Sequence, residues 1–234
     1  MDELTFLTRW HRPGLIVDAG AHDGLLTLPL ARLPGARVLA FEPLPEAHAR
    51  LARACAGLAN VTLRREALSD AAGTLKLVLP VLDGVPQEQW ASTVKSYAGF
   101  GQRVGTRRLS VPAVTLDSLA LADVVALKLD VEGAEYEVLR GARETLRRCR
   151  PLLTLELEER HREGATWAVP AFLDALGYDT GFHLDGRWHP VAALDRPRMH
   201  RASPDPSVFG AASERYVFNF FAWPRERDAE VRGV

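Results

Sequence analysis

Five short apolar runs constrain this chain more than any other feature. GLIVDAG, ARVLAFEP and NVTLRREAL come first, separated by stretches with helical spacing, and VVALKLD and PLLTLELEE follow with a helical stretch between them. Runs that are apolar throughout, rather than alternating, mark strands buried on both faces. Strand and helix repeated with short connections require right-handed crossovers, so the expected class is α/β, with a mostly parallel sheet and helices on both faces. PEAHARLARACAGL opens on proline and has Gly57 near its end, as a helix should. LLTLPLARL also has helical spacing, which obliges Pro29 to sit in an early turn. EGAEYEVLRGARETLRR is expected to be a single helix, with acids in its first turn and arginines in its last.

The middle of the chain breaks the pattern. GTLKLVLP and RRLSVPAVTL are expected to be two strands around a Gly- and Ser-containing stretch. Residues 73–119 are therefore expected to be an inserted hairpin or lid over a site. Later, VPAFLDALGY is expected to be a short helix. YDTGFHLDGRWHPV and RYVFNFFAWP should form a final pair of strands around a loop over 195–207. Nothing separates two cores, so one domain is expected over 1–224, with 225–234 a frayed polar tail.

Composition narrows the class further. The chain has 234 residues, 47% of them hydrophobic, enough to bury a core without disulfides. Cys55 and Cys149 form no CxxC, so neither a disulfide framework nor a zinc site is implied. With 29 basic and 30 acidic residues the net charge is −1, which excludes phosphate neutralisation by the whole domain, and no nucleic-acid partner is expected. MDELTFLTRW lacks the basic start and apolar stretch of a signal peptide. No run approaches the roughly 18 apolar residues of a membrane span. A cytoplasmic location is expected. GxSxG, P-loop and HExxH patterns do not occur.

Three segments carry candidate chemistry. In VDAGAHDG, over 17–24, Asp18 closes the first strand, and Gly20 and Gly24 flank a tight turn into a helix, where free amides and close backbone approach suit a ligand. The glycines are four apart, which fails the GxGxxG dinucleotide fingerprint. Asp18 would repel a pyrophosphate but suits an amino group, such as that on the methionine half of S-adenosylmethionine. Glu42, at the tip of the second strand, is placed to accept hydrogen bonds from ribose hydroxyls. In LKLDVEGAEYEVLRGA, Asp130 ends a core strand and points into the crevice where open α/β sheets bind ligands.

These segments, in this order, resemble the FkbM-type family of S-adenosylmethionine-dependent methyltransferases. LKLDVEGAE…VLRGA followed by PLLTLELEE is the specific part; VDAGAHDG, FEP and ALSDAAGTLKL agree with it, and the resemblance runs from about residue 14 to 159. It implies a Rossmann-like class I fold of the seven-stranded type and S-adenosylmethionine as cofactor, with S-adenosylhomocysteine as product. It also implies O-methylation of a hydroxyl on a sugar or other small natural product. Carried over, Asp18, Gly20 and His22 line the methionine and ribose side, Glu42 meets the ribose, Glu66 and Ala67 border the adenine, and Asp130 faces the methyl-transfer centre. His22 stands where many methyltransferases place a glycine. Rival readings are an NAD-dependent oxidoreductase, disfavoured by glycine spacing, and a catalytically silent S-adenosylmethionine-binding module.

Deprotonating a hydroxyl needs a base or a metal. Asp130 and His22 are the candidate bases. Asp130 and Glu132, two residues apart, need not converge, and no later DD or DN pair completes a magnesium site, so metal-independent transfer is expected. Lys128, inside an apolar strand, needs a carboxylate. Glu156 is the expected partner, or failing that Glu158 or Asp18. His11, His48 and His161 are expected on the surface or in capping roles. Trp90, Tyr97 and Phe100 either form a lid or pack the insertion, and Arg103, Arg107 and Arg108 are expected to be solvated.

Overall fold

The computed structural model describes residues 1–95, 97, 104–200 and 216–233; Phe100, Arg103 and most of the loop expected over 195–207 lie outside these. The strands are β1 (Gly14–Ala19), β2 (Ala36–Phe41), β3 (Val61–Arg64), β4 (Ala67–Leu68), β5 (Gly73–Leu82), β6 (Val85–Pro86), β7 (Val104–Val114), β8 (Val124–Leu129), β9 (Leu152–Glu156), β10 (Tyr178–Leu184), β11 (Arg187–Pro190) and β12 (Asn219–Pro224). The helices are α1 (Glu3–Arg9), α2 (Thr27–Leu30), α3 (Pro45–Ala54), α4 (Glu135–Arg140), α5 (Arg143–Cys149), α6 (Ala165–Asp174), α7 (Arg196–Met199) and α8 (Asp228–Arg232).

Each of the five runs gives a strand to one eight-stranded sheet, in the order β3-β2-β1-β8-β9-β12-β10-β11, but NVTLRREAL, expected to be one strand, is split, and its Ala67–Leu68 is β4 of a second sheet. Strands β3 to β9 in that order are parallel, while β12 runs antiparallel between β9 and β10, and β11 pairs antiparallel at the edge. This is the seven-stranded class I arrangement with one strand added. The expected last pair of strands is in fact three, because Asp185 and Gly186 close a tight hairpin inside YDTGFHLDGRWHPV.

The period-2 alternation divides the core into two layers. Val17, Leu127 and Leu155 face the layer built with Val138 and Leu139 of α4, Leu146 of α5 and Val169 of α6. Ile16, Ala126 and Leu152 face the layer of Phe6 and Leu7 on α1, Leu30 of α2 and Leu51 of α3. The insertion is a second sheet, β4-β7-β5-β6, dominated by the long antiparallel β5–β7 hairpin. Leu77 and Val111 pack its inner face on Leu44 and Ala47 at the start of α3.

Three expectations need correction. The helix expected over LLTLPLARL is only the four residues of α2. The helix expected over EGAEYEVLRGARETLRR is two, α4 and α5, broken at Gly141. The break has a steric cause: a Cβ on Gly141 would lie 2.0 Å from the backbone oxygen of Ser69, where the turn after β4 crosses the helix. The expected frayed tail is docked. Trp10 Nε1 donates to the Glu230 carbonyl (3.0 Å), Arg12 pairs with the Glu230 carboxylate (2.8 Å), and Val231 is buried, so α8 is fastened to α1.

The crossing at Gly141 yields a stability prediction. Gly141→Ala must push two backbone segments apart, so it should cost at least about 2 kcal/mol although its φ is ordinary. Urea unfolding with an unchanged slope and a lowered midpoint would show it; an unaltered midpoint would refute the steric account.

Candidate functional site

The carboxyl ends of β1, β2, β8 and β9 open into a cavity of about 790 Å³, roofed by residues 88–93 of the insertion. Asp18, Gly20, His22, Glu42, Glu66, Ala67 and Asp130 all line it, so seven of the eight sequence-derived site residues come together. Gly24 does not line it. That glycine turns the chain into α2 with a left-handed φ of +86°.

The glycine turn is shaped by crowding at its start. A Cβ on Gly20 would sit 1.8 Å from the Asp130 backbone oxygen, so the loops after β1 and β8 touch as only glycine allows. His22 is also left-handed, with φ +46°. A side chain there is strained. The loop is held by Glu42, whose two oxygens accept from the backbone N–H groups of His22 (2.9 Å) and Leu44 (2.8 Å). Burial raises the Glu42 pKa, and those two amides work against the rise. The imidazole of His22 lies among acids, 3.6 Å from Asp23 and 3.7 Å from Glu88.

Under the loop runs a polar row. Register sets Asp18 opposite Lys128, and Lys128 opposite Thr154, on the face covered by α1 and α2. The Lys128 ammonium donates to the carbonyls of Gly20 (2.7 Å) and Ala19 (3.3 Å) and lies 3.4 Å from Asp18 and 3.6 Å from Asp130. Burial works against the ammonium, but Asp18, Asp130 and Glu3 outweigh it and raise its pKa. Glu156, the expected partner, is not within ion-pair range; it lies one pleat beyond Thr154, and Asp18 takes the role. Thr27 donates to the other Asp18 oxygen (2.6 Å). Asp18 Oδ1 remains buried with no hydrogen-bond partner, as does Oε1 of Glu3.

Sequence reasoning missed Glu3. It lines the cavity from α1, and burial raises its pKa to about 7. A signal was present: Glu3, Phe6, Leu7 and Trp10 fall on one helical stripe, and a carboxylate on an otherwise apolar stripe faces inward.

Beyond Asp130 lies an acidic cluster. Glu132 has φ +58°, a left-handed turn that brings its carboxylate back toward Asp130, contrary to the reading that the two need not converge. Carboxylate oxygens of Asp130, Glu132 and Glu156 lie within 4.8 Å of one another, as do ligand atoms of Glu156, Glu158 and His161. Lys95 pairs with Glu132, and Arg160 (2.6 Å) and Tyr216 bind Glu158. His161 is buried here rather than on the surface, 3.3 Å from Glu158. Burial first, and then Lys95, lowers its pKa to about 3. Lys95 also draws the insertion down, together with Ser92, which donates to the Glu132 carbonyl (2.6 Å), and with Arg50, which joins Asp23 (2.7 Å) to Glu88. The apolar side of the cavity is Phe41, Leu44, Leu68, Leu77 and Trp90. Tyr97 donates to the Trp90 carbonyl, so these two aromatics belong to the roof.

The Methyltransferase FkbM domain profile matches residues 18–180. Methyltransferase sdnD of Sordaria araneosa is 32% identical over 191 residues, which is 70% of this chain and 73% of that protein. Among solved structures, Methyltransferase FkbM from Methylobacillus flagellatus superposes with a TM-score of 0.54 at 15% identity, covering 90% of this chain. This chain spans 44% of that protein's length. SMU.1697c of Streptococcus mutans, solved in complex with SAH, gives 0.51 at 12% identity and 94% coverage of both chains. These two likenesses are of fold.

The polar row predicts coupled stability. Lys128→Met leaves Asp18 buried without its cation and should cost about 3–5 kcal/mol. Adding Asp18→Asn to that variant should restore part of the loss. Denaturant unfolding of the two single variants and the double measures it, and strict additivity would dissolve the pair.

Proposed function

Since the chain belongs to the FkbM methyltransferase family, we propose that it transfers a methyl group from S-adenosylmethionine to a hydroxyl of a small acceptor, a sugar or other natural-product-like molecule. The observation that carries the cofactor reading is the pair of buried acceptors beside a glycine turn: Glu3 Oε1 has no hydrogen-bond partner, and Asp18 Oδ1 has none beyond its ion pair with Lys128 at 3.4 Å. An ammonium group satisfies such acceptors, whereas a pyrophosphate would be repelled, which disfavours a dinucleotide. Each Glu42 oxygen accepts one amide and keeps a lone pair for a ribose hydroxyl. Glu66, held by Arg64, stands with Ala67, Leu68 and Leu77 on the side suited to an adenine ring. The residues present therefore fit the cofactor.

When bound, S-adenosylmethionine supplies an electrophilic methyl carbon on a sulfonium. The chain's task is then alignment and exclusion of water. Asp130 accepts the hydrogen bond of the acceptor hydroxyl and fixes its direction, and the insertion closes the roof. His22 is the less favoured base, because its imidazole lies beside Asp23 and Glu88 at the other end of the roof. Metal independence is supported by the protein's own counter-charges: Lys128 serves Asp130, Lys95 serves Glu132 and Arg160 serves Glu158.

Calorimetry should show binding of S-adenosylmethionine and S-adenosylhomocysteine but not NAD. Glu42→Ala should weaken the former about ten- to hundredfold; unchanged affinity with the fold intact would remove the ribose assignment. With a competent hydroxyl acceptor, turnover should survive exhaustive chelation and fall in Asp130→Asn. Loss of activity on chelation, restored by magnesium, would reject the metal-free mechanism.

A further inference from the structure

Methylating a hydroxyl releases a proton, and the structure holds one carboxyl arranged to receive it. Glu156, the last residue of β9, faces three other acids: Asp130 and Glu132 from the turn after β8, and Glu158 from the stretch that follows β9. Each of those three has a cation: Lys128, which Asp130 shares with Asp18, then Lys95 and Arg160. Among the described residues no lysine or arginine lies within ion-pair distance of Glu156. The remaining neighbours do not supply one. His161 is kept neutral by burial and by Lys95, and Asn219, the register partner on β12, carries no charge. Four carboxyl groups this close cannot all be ionised, and the one lacking a cation keeps its proton. Burial, followed by Asp130, Glu132 and Glu158, accordingly raises the Glu156 pKa far above the carboxylate range. The group lines the same cavity as Asp130 and Glu42.

Building on the cofactor reading above, we propose that Glu156 is the proton acceptor of the reaction, and that it ionises only while the sulfonium charge is in the cavity. S-adenosylmethionine differs from S-adenosylhomocysteine by one methyl group and one positive charge. That charge is the cation Glu156 lacks, so loading the cofactor expels the Glu156 proton to solvent. The carboxylate so formed takes up the hydroxyl proton as the O–H bond breaks and oxygen bonds to the methyl carbon; the electron pair of the broken C–S bond stays on sulfur. The positive charge is then gone and Glu156 is again neutral. One proton leaves per turnover, at cofactor loading, and Asp130 orients the hydroxyl without keeping its proton.

The test needs no acceptor. Calorimetry of the full chain in phosphate and in Tris, at about pH 8, counts protons released per ligand bound. S-adenosylmethionine should release at least roughly half a proton more than S-adenosylhomocysteine, and Glu156→Gln should abolish the difference. Equal counts for the two ligands, or an undiminished difference in Glu156→Gln, overturn the inference and leave the cofactor reading standing. Binding of neither ligand overturns that reading and the inference with it. Should Glu156→Gln not fold, infrared difference spectra of the native chain decide. A protonated-carboxyl band lost with S-adenosylmethionine and kept with S-adenosylhomocysteine supports the proposal; a band unchanged by both overturns it.

Discussion

The site depends on the Lys128 ammonium, buried in the middle of a parallel sheet with only 5% of its side chain exposed. An unpaired ammonium there would cost several kcal/mol, and an unpaired Asp18 beside it as much again. Together they tie three strand ends into one unit. Lys128 on β8 reaches the carbonyls of Ala19 and Gly20 at the end of β1, lies beside Asp18, and stands opposite Thr154 of β9. The glycine turn is thereby fixed to the strand that carries Asp130. Gly20 has no side chain for a different reason, since a Cβ there would meet the Asp130 backbone oxygen at 1.8 Å, so the loop that faces a ligand and the turn that faces an acceptor are also in direct backbone contact.

Around that centre the roof is held by ions rather than by a deep apolar interface. The hairpin contributes only a small apolar cluster, centred on Leu77 and Val111, against α3. Its inner edge is tied down by Lys95 to Glu132 and by Arg50 to Glu88. Lys95 and Glu132 are largely shielded from water, whereas Arg50 is 38% exposed. Exposed pairs contribute little and are screened by salt, so the end of the roof over Asp130 is the firmer one.

Much of this was legible in the sequence because it follows from local rules. Unbroken apolar runs announced the parallel sheet, and strand-end acids with a glycine turn announced the cavity. Seven of the eight residues chosen on that basis line one space. What escaped depended on contacts between distant segments. The break between α4 and α5 comes from Ser69 crossing at Gly141, and helix spacing holds no trace of it. The first choice of Lys128 partner, Glu156, gave way to the named alternative Asp18 because alternation places Asp18, Thr154 and Glu156 on the same face, and only register distinguishes them. The polar tail docks because Glu230 meets Trp10 and Arg12, a pairing that composition alone cannot reveal.

His161 shows the same limit in the chemistry. As a lone histidine without ligand spacing it suggested a surface role, yet it sits between Glu158 and Glu132. Its contribution is to stay neutral. A protonated imidazole there would add a positive charge beside Glu156 and favour loss of the Glu156 proton before any cofactor arrived. Burial, and then Lys95, lowers the His161 pKa and keeps that position uncharged, while Lys95 also pairs with Glu132. The cluster thus sets four carboxyl groups against Lys95, Arg160 and a Lys128 that also serves Asp18. The charge still missing at Glu156 is what makes its protonation state sensitive to a ligand that brings one.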